Sequence, residues 1–370
     1  MRKFAAFKSN LFKLIDKPSD FYFILICYFT TLIFFFPNLS FINSNSKGNK
    51  FIDRQIEEVF FQVDSAVYPE MMHEAKCTFR ITVPLIGKLL HTSAAGLIYF
   101  QFVIYLLFLV ILYRLLNRLI ELKTISRLLV LSFCFTYVGK SFFYVTPFFD
   151  CYAYLFLVLT FYFSNPFVLF GLCIAAFFTD ERAAIAILFS MLWHSKESIP
   201  DSLKGIFKFR PTLSSVSLLF GLLISLALRF FLTEKYNVQV TWSMVGISAL
   251  INNKNFIPFV SLLAFEGFWW LLIMNFFTSK KILTLLNFSL VALIFIGTFI
   301  VYDLTRSITY GFPAIFISLY IFKNDFSVNA LKSISLLILA SCILIPTYSV
   351  INPSISFLSP VFTTIFDFLN

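Results

Sequence analysis

The stretch "CIAAFFTDERAAIAILFSMLW", Cys173 to Trp193, is apolar throughout except for Asp180, Glu181 and Arg182 near its middle. Read as one membrane helix, it would hold three consecutive charges at the bilayer centre, where each costs between about 2.5 and 17 kcal/mol by different measures. Read as two short helices, Pro166–Phe178 and Ala183–Trp193, it places "TDER" at a turn. Each half then has about a dozen residues, or about 18 Å at 1.5 Å per residue, which crosses only with tilt or local thinning. Charged backbone at that depth survives where it lines a protein cavity or water. The hairpin therefore puts "TDER" in a recess, either as a structural ion pair or as part of a functional chamber.

The rest of the chain decides for the hairpin. Of 370 residues, 59% are hydrophobic and 13% charged, and the mean hydropathy is +0.87. A soluble domain carries about 25% charged residues. Membrane-length apolar runs recur at Phe21–Leu39, Ala95–Tyr113, Leu213–Phe231 and Ile282–Val301,. The expectation is an all-α, polytopic transmembrane helical bundle of about 10–11 helices. It forms a single transmembrane domain over 1–370, with 40–92 as a long first extracytoplasmic loop. The alternating pattern of an outer-membrane barrel is absent from the sequence.

With the N-terminus in the cytoplasm, the inner segments are that terminus, "RLLNRLIELKTISR", "HSKESIPDSLKGIFKFRP", "TSKK" and "KNDFSVNALKS". They hold 17 of the 29 lysines and arginines but 6 of the 19 acids, a net +11 against −1 elsewhere. That is the positive-inside bias. A single span through Cys173–Trp193 would throw "HSKESIPDSLKGIFKFRP" outside, and the hairpin restores parity. The overall +10 thus serves topology and anionic lipid, not nucleic acid. The basic N-terminal region is long, and the first apolar run ends at "FFFPNLSFINSNS" without small residues where a signal peptidase needs them, so Phe21–Leu39 reads as a retained first span,.

The remaining ionisable residues gather on the outer side. Lys140 and Asp150 sit in one turn, Asp180, Glu181 and Arg182 in the next, then Arg229, Glu234 and Lys235, then Asp303 and Arg306. Acids and bases at successive helix ends read as a polar chamber. In the first loop, Phe51–Val63 and Arg80–His91 read as interfacial amphipathic helices, the second broken near Pro84. Glu70, His73 and Glu74 share a helix face suited to a divalent ion, although a solvated loop face explains them better. Cys77 and Cys151 both fall outside, where a bridge is open to them. No GxxxxGK, GxSxG, HExxH or Rossmann pattern occurs, which excludes nucleotide hydrolysis and serine or zinc proteolysis.

Several stretches resemble the GT-C class of membrane glycosyltransferases over roughly residues 20 to 322. They are Asp64–Tyr68, "FRITVPLIGKLL" at Phe79–Leu90, "TPFFDCYAYLFL", "FFTDERAAIAIL" and "DLTRS" at Asp303–Ser307. The resemblance implies a multi-pass protein of the cell's inner (plasma) membrane. It would transfer sugar from a polyprenyl-phosphate donor to an acceptor at the extracytoplasmic face. Asp64 would act as general base, with Asp53 as its rival because the family's acid often comes as a pair and Ser65 follows here. Arg80, Arg182 and Arg306 would hold the lipid phosphate. Asp180 and Glu181 would orient those arginines, bind a sugar hydroxyl, or hold a divalent cation with Asp150. Asp303 would share the last turn with Arg306. An O-antigen-type polymerase or ligase would depend on arginines without a catalytic acid. A transporter would show an internal repeat, and none is visible.

Overall fold

The computed structural model of the chain describes residues 12–37, 79–145, 149–200, 210–235, 251–301, 303–345, 347–351 and 354–359. Most of the first loop therefore lies outside the described residues, with Asp53, Asp64, Glu70, His73, Glu74 and Cys77.

The hairpin is there. α1 is Asp20–Phe34, α2 Thr82–Leu89, α3 Ala94–Ile120, α4 Lys123–Phe133, α5 Tyr137–Ser141 and α6 Asp150–Tyr162; α7, Pro166–Phe177, and α8, Ala183–Ser195, then flank "TDER". Asn165 starts α7 by accepting the N–H groups of Phe167 and Val168 at 2.9 and 3.3 Å, and Pro166 occupies the first turn, where its missing donor costs nothing,. The turn is closed by its own side chains. Thr179 Oγ1 donates to the Ala175 carbonyl at 2.7 Å, and Asp180 Oδ1 accepts the Arg182 N–H at 3.0 Å.

The next long helix, α9 (Leu213–Lys235), packs against both arms. A Cβ on Gly221 would lie 3.1 Å from Cys173, so glycine lets the two backbones approach,. Serines of α9 join the arms by hydrogen bonds: Ser217 Oγ to the Pro166 carbonyl at 2.5 Å, and Ser215 Oγ to Ser195 Oγ at 2.7 Å. The opposite face of α9 exposes Val216, Leu219, Phe220, Leu223 and Phe230 at helical spacing, the stripe that a bilayer would cover,.

Beyond it come α10 (Ile257–Phe265), α11 (Trp269–Met274), α12 (Lys281–Phe299), α13 (Leu304–Thr309), α14 (Ala314–Asp325) and α15 (Val328–Leu344). Four helical stretches are long and apolar enough to cross a membrane: 95–120, 213–235, 251–277 and 281–299. The third is interrupted at Glu266, whose φ of 45° is left-handed. Fifteen α-helices lie wholly within the described residues, some of them pieces of broken stretches such as this one. Buried apolar residues from α1 to α15 and the segment beyond form one contiguous core.

Three expectations change. The all-α reading misses an antiparallel hairpin, β1 (Tyr348–Ile351) with β2 (Ser354–Phe357). A lone hairpin is marginal by itself, and here it is stapled to helices: the Val350 N–H donates to Thr305 Oγ1 at 2.7 Å and the Tyr348 hydroxyl to the Phe259 carbonyl at 2.7 Å. Pro84 does not break the second amphipathic stretch, because it falls in the first turn of α2, where no carbonyl awaits its N–H,. Cys151 is a buried free thiol, its Sγ 3.4 Å from Gln101 Oε1, and forms no bridge.

Candidate functional site

Of the eight residues given a role by the resemblance, leaving aside the rival base Asp53, seven meet at the "TDER" end of the bundle. They come from four separate segments. Arg80 precedes α2, Asp150 opens α6, Asp180–Arg182 form the hairpin turn, and Asp303 and Arg306 begin α13. The eighth, Asp64, lies outside the described residues.

Asp150 and Asp180 are the hubs, 5% and 0% exposed. Arg306 grips Asp150 with two donors, Nε to Oδ2 at 2.6 Å and Nη2 to Oδ1 at 3.1 Å, while its Nη1 reaches Asp303 Oδ2 at 2.9 Å. Arg182 grips Asp180 the same way, Nε to Oδ1 at 2.7 Å and Nη2 to Oδ2 at 2.6 Å, and its Nη2 also reaches Asp150 Oδ1 at 3.1 Å. Arg80 completes the set from the rim. Its Nε and Nη2 fork onto Glu181 at 3.0 and 2.8 Å, and Nη1 lies 3.2 Å from Asp180 Oδ2. These are fork geometries that only guanidinium offers.

Burial by itself would raise the pKa of Asp180, but the guanidiniums of Arg182, Arg80 and Arg306 outweigh it and hold the carboxyl well below the usual carboxylate range. Burial raises Glu181 too, and Arg80 turns the balance downward against the opposing charge of Asp180. Both acids are therefore anions. Four carboxylates face the guanidiniums of Arg80, Arg182 and Arg306, and Arg229 also acts on Glu181, so acids and bases are close to balanced.

That balance limits what the arginines can do. Arg182 and Arg306, with side chains 19% and 8% exposed, are committed to carboxylates, and a phosphate would have to displace one. Arg80 and Glu181, at 16% and 34%, form the outer lip and are the pair an incoming anion would meet first. Asp180 has both oxygens taken by arginine, so a cation held between it and Asp150 would likewise need an exchange. Among the described residues no group of three His, Cys, Asp or Glu side chains is placed to hold a metal ion.

Sequence reasoning missed the polar groups that frame the cluster. The Tyr310 hydroxyl donates to Asp150 Oδ1 at 3.1 Å, and Arg182 lies 5.2 Å from the centre of that ring. Ser307 Oγ accepts from Arg182 at 3.3 Å. The Tyr154 ring packs edge to face on that of Tyr310, centres 5.1 Å apart, and its hydroxyl and Asp303 Oδ1 are buried without a partner among the described residues. The tyrosines stand in "YGFP" and "CYAY", where aromatic content hides them among ring-rich spans. Glu266 was missed as well. It is 2% exposed; one carboxyl oxygen accepts the Tyr137 N–H at 3.2 Å and the other has no partner among the described residues. The signal was an acid beside Gly267 in an otherwise apolar run, "FEGFWW".

No family model, curated protein or solved structure matches the chain. The site has to be read from its own chemistry.

Proposed function

We propose that this chain is a membrane glycosyltransferase of the GT-C type, transferring a sugar from a polyprenyl-phosphate-linked donor at the extracytoplasmic face of the inner membrane. Its product would be a cell-surface polysaccharide or glycoconjugate. The observation behind the proposal is the convergence of seven ionisable groups from four segments at one end of an apolar bundle, with Asp150, Asp180 and Arg306 buried. Charges buried at such depth are expensive and mark function by default.

In this reading Arg80 is the first phosphate contact, exchanging Glu181 for the donor's phosphate oxygens. Arg182 and Arg306 then supply the positive field behind it. The Tyr154 hydroxyl and Asp303 Oδ1 are the polar groups available to a sugar hydroxyl. Asp64 takes the proton of the acceptor hydroxyl as the glycosidic bond forms and the lipid phosphate leaves. A polar group at Asp53 is its rival.

A deletion strain tests the class: lipid-linked sugars should accumulate in it. Unchanged pools would sink the transferase reading in favour of a transporter. Asp64→Asn should lower activity by about 10²–10⁴, with Asp53→Asn as the control. If neither matters while Arg80 and Arg306 do, the arginine-dependent polymerase or ligase takes its place. Orientation is tested by cysteine substitution. An impermeant reagent should label Asn45→Cys and not Ser202→Cys in intact cells.

A further inference from the structure

Two helices that begin at the cluster's charges, and a third that follows its last segment, also run away from it. α6, α8 and α14 each begin near it and end 12 or 13 residues later, about 18–20 Å away at 1.5 Å per residue. At that far end, together with the end of α3, they enclose a cavity of about 290 Å³. Arg118, His194, Lys196 and Lys323 line it with Trp193 and Tyr320. Charge bias assigns this end to the cytoplasmic side.

Two of the cations lack an ion pair among the described residues. Lys323 is held by Glu121, Nζ to Oε1 at 2.8 Å, and the His194 ring meets the Thr160 carbonyl at 2.8 Å. Arg118 is exposed at the mouth. Lys196 is wedged 4.0 Å from the Trp193 ring centre and 5.3 Å from that of Tyr320, with one donor on the Trp193 carbonyl at 3.2 Å. Its remaining donors stay available. Burial depresses the Lys196 pKa; Glu197 pulls it up, and Arg118 pushes it down again. Both cations line the same cavity, and an anion held there would meet both charges.

We propose that this cavity binds a phosphate-bearing anion, with Arg118 and Lys196 as the paired cations and the Trp193 and Tyr320 rings as its walls. Its volume is just under the roughly 300–1,000 Å³ of sites that enclose a whole drug-sized molecule, so it takes a headgroup, not a nucleotide. Phe163, 39% exposed, lines the same mouth. An exposed ring there favours a phosphate that carries acyl chains, as do basic pockets between helices at the cytoplasmic leaflet. The shared chemistry is the phosphate, from an anionic phospholipid or from a soluble phosphate ester.

The test is native mass spectrometry of the full-length protein from nanodiscs of mixed phosphatidylglycerol and phosphatidylcholine. The wild type should retain phosphatidylglycerol in preference, and Arg118→Gln and Lys196→Gln should each weaken retention by about fivefold. Lys196→Arg should restore it, which separates lost charge from lost folding. Glycerol 3-phosphate added at millimolar concentration decides the source. Displacement of the lipid, together with binding by itself, assigns the pocket to a soluble phosphate ester; failure to displace assigns it to the lipid. No preference between the two lipids in the wild type together with no binding of glycerol 3-phosphate, or undiminished binding in the double Gln variant, overturns the proposal.

Discussion

At the "TDER" end Asp180 is fully buried and shared by Arg80, Arg182 and, at 3.7 Å, Arg306. At the other end Asp20, 55% exposed, is shared by Arg127, Lys123 and the Tyr113 hydroxyl at 2.6, 3.0 and 2.9 Å. Both are acids surrounded by bases, but they are built for different ends. Arg127 gives two of its contacts to the Ile15 and Pro18 carbonyls at 2.7 and 2.8 Å, so it ties the N-terminal segment to α4. The arginines at the "TDER" end give theirs to side chains from three segments, and join the mouths of helices chiefly through side-chain forks. A backbone staple can stay put for the life of the protein. A set of side-chain forks can exchange partners.

The sharpest way to break this contrast is to remove one fork. Arg306→Met leaves Asp150 and Asp303 facing low dielectric with part of their compensation gone. The cost should be about 3–5 kcal/mol, the usual penalty for an orphaned buried charge. Thermal unfolding in detergent should show it as a large loss of Tm or of folded yield. A shift within error would mean that water already reaches Asp150.

Arg182→Lys comes next. It keeps the charge but cannot fork onto Asp180 while touching Asp150. About 1.5–3 kcal/mol should go, from charge-assisted bonds lost. Transferase activity should fall further than that stability loss explains. Equal activity in the lysine variant would remove the fork from the proposed chemistry.

How much of this was visible beforehand follows from the kind of signal involved. The hairpin was legible because three charges in an apolar run conflict with a single span, and loop charges then fix the parity. Helix boundaries moved where amphipathicity continued past the apolar run: α3 reaches Ile120 because Leu115, Leu116, Leu119 and Ile120 stay buried while Arg114, Asn117 and Arg118 face out. Six of the seven cluster residues were legible as charges at helix ends, and Arg80 through the resemblance, but their pairing was not. Which guanidinium meets which carboxylate depends on helix packing, and that rests on Gly221, Cys173 and serines of α9 that look ordinary in sequence. Tyr310 and Tyr154 were lost among 53 phenylalanines and 16 tyrosines. Glu266 was passed over because one acid in a run of 27 residues leaves the mean hydropathy high.

Acidification offers a smaller test. The folded pKa values of Asp180 and Glu181 are depressed. Their contribution to stability is therefore complete above the unfolded carboxylate pKa of about 4 and is lost as pH falls through the lower folded values. Arg80→Gln removes one cause of that depression. The Tm gap between wild type and Arg80→Gln should narrow on acidification, as pH falls through the depressed folded values. A gap that never narrows, down to the pH at which the wild type unfolds, would show that Arg80 acts by packing.

The smallest effect belongs to the other end, and it is the control that gives the rest meaning. Asp20→Asn leaves an amide that still accepts from Tyr113 and Arg127, and Asp20 is more than half exposed, so solvent already screens its charge. Arg127 is itself fully buried, but it keeps its two backbone carbonyls and a bond to the amide oxygen. The loss should be about 1–1.5 kcal/mol, between the worth of an exposed pair and that of a charge-assisted hydrogen bond, and it should shrink in high salt because Asp20 faces water. Asp180→Asn makes the same exchange of carboxylate for amide, but in a buried site where Arg80, Arg182 and Arg306 all depend on the charge. Its loss should be several-fold larger and insensitive to salt. If the two substitutions cost the same, burial does not separate the two ends, and the cluster is a second staple.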